Sequence, residues 1–134
     1  MTRNFEDLLG EEFHGNAAAT TQEVAAAEKA LGIGLPEDFR SFLRLTSGGE
    51  GMIGENYVML WSADELARYN ESYQVNEYAP GLVLFGSDGG GEAFAFDTRE
   101  ANLPVVRVPF VGMSLDDVEQ MASSFTAFLE SLRD

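Results

Sequence analysis

The chain has no cysteine, a single histidine, a single lysine and only four prolines in 134 residues. Without a thiol there is no disulfide framework, no thiolate nucleophile and no cysteine-based zinc site. The lone histidine, His14, would have to serve any Ser-His-Asp triad, yet no Gly-x-Ser-x-Gly elbow accompanies it. It falls in a stretch read as a loop and is expected to be an ordinary surface or packing side chain. The lone lysine, Lys29, lies far from Gly89-Gly90-Gly91. That glycine run therefore lacks the following lysine of a Walker-type phosphate loop, and the flanking Asp88 and Glu92 would repel phosphate. No segment approaches the roughly 18 apolar residues of a membrane span. The first fifteen residues carry one basic side chain, Arg3, and no apolar run, unlike a signal peptide. The expectation is a cytoplasmic protein without membrane contact.

Positive charge is scarce as well: 8 basic residues face 23 acidic ones, a net charge of −15. The middle of the chain is the most one-sided. Between Gly48 and Glu100 lie Glu50, Glu55, Asp64, Glu65, Glu71, Glu77, Asp88, Glu92, Asp97 and Glu100, opposed there only by Arg68 and Arg99. Such a field repels nucleic acid and anionic lipid and attracts cationic partners; the bland alternative is that acidity simply aids solubility. What the chain does have is an ordinary apolar content of 45% with 10 phenylalanines, which argues against disorder and supplies bulk for a core. One domain spanning residues 1–134 is expected.

Phe5–Leu9 suggest a short helix, followed by a loop through Gly10 and Gly15-Asn16. Thr20-x-x-Glu23 is a capping-box pattern that opens an alanine-rich helix to Leu31, stopped by Gly32. Pro36 opens a second helix with Phe39, Phe42 and Leu43 as its stripe and Gly48-Gly49 as its stop. Met52-Ile53 and Tyr57–Trp61 suggest short strands, and Ser62-x-x-Glu65 caps a third helix bearing Leu66, Tyr69 and Tyr73. Val105–Val111 has strand character, and Pro104 and Pro109 predict a sheet edge there. Ser114-x-x-Asp117 predicts the start of a final helix. Its stripe of Leu115, Val118, Met121, Ala122, Phe125, Phe128, Leu129 and Leu132 keeps a 3.6-residue period. The order predicts an α+β fold: a mostly antiparallel sheet packed against N-terminal helices and a C-terminal amphipathic helix.

The densest signal is Gly81–Asp97, GLVLFGSDGGGEAFAFD. Two alternating apolar runs, Leu82–Phe85 and Ala93–Phe96, flank a glycine-rich connector, which predicts a β-hairpin with Asp88 and Glu92 either side of its tip.

Together with Leu31–Gly51 (LGIGLPEDFRSFLRLTSGGEG), this hairpin resembles the SUKH superfamily, which includes fungal cell-wall-synthesis regulators and many bacterial immunity proteins. The first segment resembles that family's helix end, Leu-Pro, aromatic-bearing helix and Gly-Gly stop; the second, its Gly-Asp-Gly-x-Gly hairpin and aromatic strand. Between them VMLWSADELARYN, Val58–Asn70, is similar to the family's strand, aromatic and capped helix in that order. The resemblance implies an antitoxin: a non-catalytic protein that binds and blocks a toxin domain, often a nuclease or deaminase, and needs no cofactor. A regulator or scaffold of the same fold, with no toxin partner, is the alternative it leaves open.

Asp88, Glu92 and Asp97 are weighed as hard-cation ligands, but the EF-hand spacing is absent and no metal site is expected. Carboxylate-pair hydrolysis selects no particular pair in so acidic a chain. Trp61, just before a helix cap, either plugs the core edge or anchors a partner. The residues expected to meet a cationic partner are Glu50, Glu55, Asp88 and Glu92, with Trp61 as the aromatic anchor, because loops on a rigid sheet vary cheaply.

Overall fold

The computed structural model describes residues 4–134. Two N-terminal capping motifs form as the sequence dictates. Asn4 accepts the Asp7 N–H to start α1 (Phe5–Leu9), and Thr20 and Glu23 form a reciprocal capping box at α2 (Thr21–Leu31). Gly32 ends α2 in the left-handed conformation. Pro36 precedes α3 (Glu37–Leu45), which ends earlier than expected, at Thr46. The glycines beyond it lead into β2 (Gly49–Ile53).

Among the described residues the sheet has seven strands, all antiparallel, in chain order. The stretch read as an N-terminal loop contains β1 (Phe13–Gly15), so His14 sits on a strand, paired with Glu50. β3 (Asn56–Leu60) follows β2 across a tight turn at Gly54-Glu55. Then come α4 (Ala63–Ser72) and α5 (Val75–Tyr78). β4 (Leu82–Ser87) and β5 (Glu92–Asp97) form the expected hairpin. β6 (Val105–Pro109) pairs with β5 on one side and β7 (Glu119–Ala122) on the other.

Two expectations fail here for physical reasons. β6 is not an edge. Its prolines lie just before it and at its last position, where missing donors interrupt no ladder bond; the edges are β1 and β7. The final helix does not start at Ser114. Ser114 caps only a short 3-10 turn, Leu115–Asp117, and Glu119–Ala122 are drawn into the sheet by β6. The helix, α6 (Phe125–Arg133), begins where Ser124 accepts the Ala127 N–H. Val118, Met121 and Ala122 pack against the core as their period suggested, but from an extended backbone. Strand pairing overrides the helical pattern across these residues.

Phe39 and Phe42 of α3, Phe85, Phe96, and Phe125 and Phe128 of α6 are fully buried. Their rings meet at 4.5–6.4 Å, the tightest being Phe85 on Phe96 at 4.5 Å and Phe39 edge-on to Phe125 at 4.9 Å. Ala93 and Ala95, which point the other way along β5, are fully buried too. The alternation along β5 is thus large against small, with both faces covered. Arg133 on α6 donates to the carbonyls of Leu8 and Leu9, at 3.1 and 2.8 Å, and so joins α6 to the end of α1.

β3 and β4 touch only briefly. Met59 pairs with Ser87 and Leu60 with Gly86, and the Trp61 N–H reaches the Phe85 carbonyl at 3.0 Å. Gly86 makes this approach feasible, since a Cβ there would lie 2.5 Å from the Met59 carbonyl. The ladder shifts at Phe85, a bulge that turns this residue into the aromatic core. Past Trp61 the strands part and α4 takes the vacated place. Asn70 donates to the Leu84 carbonyl at 2.9 Å and accepts the Leu84 N–H at 2.8 Å, acting as a substitute peptide. Replacing Asn70 by Ala leaves both backbone groups without their partner. Chemical denaturation should show a loss of about 1–3 kcal/mol, the cost of an unsatisfied buried polar group; a loss under about 0.5 kcal/mol would mean that the pair contributes nothing net.

Candidate partner-binding face

Where β4–β6 are covered on both sides, β1–β3 leave one face open. The alternation of β2 and β3 puts Val58 and Leu60 inward and Glu50, Tyr57 and Met59 outward. Tyr57 and Met59 are 41% and 38% exposed, unusual for large apolar side chains side by side on a sheet. The Tyr57 hydroxyl donates to Glu50 Oε2 at 2.5 Å, fixing that carboxylate across the strand pair. Accepting this bond, Glu50 raises the Tyr57 pKa above its ordinary value, with desolvation acting in the same direction. The phenol therefore remains a donor throughout the neutral range.

α4 walls the face on one side. Its start is fixed by a capping box in which Glu65 Oε1 accepts the Ser62 N–H at 2.9 Å. That ties Glu65 at the rim, where Oε2 also accepts the Tyr69 hydroxyl at 3.3 Å and lies 3.7 Å from Arg68. Trp61 is 8% exposed, packed on Tyr69 at 4.8 Å and stacked on Tyr73 at 6.4 Å. It is a core-edge plug with one side turned to a groove of about 450 Å³ that Glu50, Met59, Glu65 and Tyr69 also line.

The hairpin tip walls the face on another side. Gly89 takes φ +79°, and a Cβ on it would sit 2.8 Å from the Tyr57 ring, so the tip lies directly against that tyrosine. Asp88 is committed to the tip itself, accepting the Gly90 N–H at 2.8 Å and the Glu92 N–H at 3.2 Å through one oxygen. The antiparallel register brings the Gly54-Glu55 turn to the same end of the sheet as this tip. Glu55 is exposed there.

Glu92 turns away, toward Arg107, at 3.8 Å, while Arg107 donates to Glu119 at 2.6 Å. Asp97 lies at the far end of β5, nearly buried, bonded through both oxygens to Arg99 at 2.9 Å. The carboxylates weighed as cation ligands are therefore spread along a strand and individually engaged. Of the five residues expected at the interface, Glu50 and Trp61 share the groove, Glu55 and Asp88 share the adjoining end, and Glu92 stands apart. Glu65, Tyr57, Met59 and Tyr69 were not anticipated there. Glu65 is legible in the sequence only as a cap, and the alternation of β3 puts Tyr57 and Met59 on one face without showing that this face is uncovered.

Among the described residues no helix is long and apolar enough to cross a membrane. The model of the SMI1 / KNR4 family (SUKH-1) matches residues 18–131. The chain is also similar to an uncharacterized protein, YnaB, of Bacillus subtilis (strain 168). The two are 28% identical over 123 residues, covering 90% of this chain and 80% of that protein.

The Asp97–Arg99 pair sets a pH dependence. The hydrogen bonds from Arg99 hold the Asp97 carboxyl below its usual value. A carboxyl with a depressed folded-state pKa contributes stability that is fully present above its unfolded value, about 3.9, and is lost as pH falls through the folded value. Asp97→Asn should therefore lower the thermal midpoint at pH 7 and flatten its decline below about pH 4. An unchanged acid limb in the variant would assign that decline to other carboxylates.

Proposed function

The chain belongs to the SMI1 / KNR4 family (SUKH-1), and from that premise we propose that it is a cytoplasmic, non-catalytic immunity protein that binds and neutralises a cationic toxin domain of the nuclease type. The observation that carries the reading is the open, rigid face of β1–β3, where exposed Tyr57 and Met59 stand beside Glu50 and are bordered by the Asp88 tip and the Glu55 turn. An exposed aromatic and thioether surface flanked by acids suits a protein partner with a basic active site. A nuclease must present Lys and Arg to phosphate, and carboxylates on a fixed scaffold can occupy the same positions. The net charge of −15 disfavours nucleic acid and speeds the approach of a basic protein.

Within this reading Glu50 and Glu55 are the direct acidic contacts. Asp88 shapes the tip, Glu92 pairs with Arg107 away from the face, and Trp61 backs Tyr69 and Tyr73 at its edge. The structural commitments of Asp88 and Glu92 matter for any test, because charge reversal at either site also removes a bond that shapes the hairpin. Glu55 is the cleaner probe.

The test is co-expression with a toxin domain encoded in a neighbouring reading frame, followed by stopped-flow association measurements. Glu50→Lys with Glu55→Lys should slow association about tenfold at low salt and flatten its salt dependence, while dissociation changes less. Glu55→Lys alone should leave the thermal midpoint within about 1 °C, as expected of a surface substitution that breaks no contact among the described residues. Unchanged affinity in the double variant would move the interface off this face. Failure of any toxin domain to bind, with recovery of a host regulatory protein instead, would favour the scaffold reading.

A further inference from the structure

Resting on that reading, we propose that the groove between the open face of β1–β3 and α4 receives one arginine side chain of the partner, its guanidinium placed between Glu50 and Glu65 over Met59 and the edge of Trp61. The groove, at about 450 Å³, has room for a single long side chain. Met59, Trp61 and Tyr69 give it an apolar and aromatic side opposite the polar His14 and Asn16, and its two carboxylates are held rather than mobile. The Tyr57 hydroxyl pins Glu50 through Oε2, and among the described residues no hydrogen bond engages Oε1. The capping box pins Glu65. Rotamer entropy that a surface glutamate would lose on binding has thus been lost already on folding, which favours binding by preorganisation.

The molecule itself shows which cation these groups suit. Arg68 places its guanidinium carbon 5.4 Å over the Tyr69 ring, and an NH2 nitrogen 3.7 Å from Glu65, while its side chain stays 65% exposed. Carboxylate edge and flat ring together accommodate a planar guanidinium. Lysine, a compact and strongly hydrated point charge, gains less from a flat apolar floor and cannot make a forked contact. A second depression shares Glu65 and Asn16 with the groove and adds Glu23 and Asp64. The residues flanking the arginine would therefore meet further negative charge, with Arg68 and His14 as the basic side chains among the described residues there.

Trp61 is the only tryptophan in the chain, so its emission reports the groove directly. The probe is N-acetyl-arginine amide, titrated into the full chain beside N-acetyl-lysine amide and the neutral isostere N-acetyl-citrulline amide. Arginine amide should give a saturable change in Trp61 emission, lysine amide should bind about tenfold more weakly, and citrulline amide should give no change. Glu50→Gln and Glu65→Gln should each weaken the arginine response about fivefold or more through loss of a charged partner. Glutamine also serves at the third helical position of a capping box, so Glu65→Gln keeps α4 intact, as circular dichroism would show. Equal responses to arginine and lysine amides, or an arginine response that survives both substitutions together, would overturn the proposal. If arginine amide is silent while a toxin domain still binds in a Glu55-dependent manner, this inference falls and the immunity reading stands. If arginine amide binds as described but no toxin domain does, the groove's preference stands and the immunity reading falls.

Discussion

The short contact between β3 and β4 is the constraint on which the rest of the molecule depends. Two paired residues and one further backbone bond join the three-stranded part of the sheet to the four-stranded part. Beyond that neck the strands separate, and the gap admits α4, whose Asn70 supplies the hydrogen bonds that a neighbouring strand would have made. A buried strand with an unpaired Leu84 would be costly, so Asn70 ties α4 to β4 at this point, together with the buried Leu66 and the Ala63–Ser47 bond at the helix start. Because α4 is held there, Trp61, Glu65 and Tyr69 line the edge of β1–β3 and leave the outward residues of β2 and β3 uncovered.

The two parts of the sheet accordingly obey different rules. In β5 the alternation is between phenylalanine and alanine, and both sides are buried. In β2 and β3 it is between apolar residues facing the core and Glu50, Tyr57 and Met59 facing out. The acidic residues divide in a similar way. Asp88, Glu92 and Asp97 are engaged in shaping the hairpin or pairing with arginine, so their charge is partly neutralised or their geometry already spoken for. Glu50 and Glu55 keep open positions on the exposed face. Net charge describes the field felt at long range, whereas these local commitments decide which carboxylates remain for a partner.

Much of this was legible in the sequence where the signal is local. The capping boxes at Thr20 and Ser62, the Gly32 stop, the hairpin and the phenylalanine core all follow from short-range chemistry that the fold does not override. What was not legible depends on partners distant in sequence. Glu119–Ala122 carry a helical period, yet they are extended because β6 needs a neighbour. Pro104 and Pro109 bound a strand instead of marking an edge. At the candidate face, Glu50 was found from charge alone, but Glu65 was concealed by its cap role, and nothing local announces that Tyr57 and Met59 have no layer above them.

The bond from Arg133 to the carbonyls of Leu8 and Leu9 spans separations of 125 and 124 residues, and α6 also supplies Phe125 and Phe128 to the centre of the core. During synthesis on the ribosome, the strands of the meander can pair one after another as they emerge, since each neighbour in space is a neighbour in the chain. The aromatic centre, however, stays unfilled until α6 has cleared the exit tunnel. Nascent chains therefore carry an exposed phenylalanine surface until α6 emerges, which is the kind of species that chaperones bind and that aggregates when they are scarce.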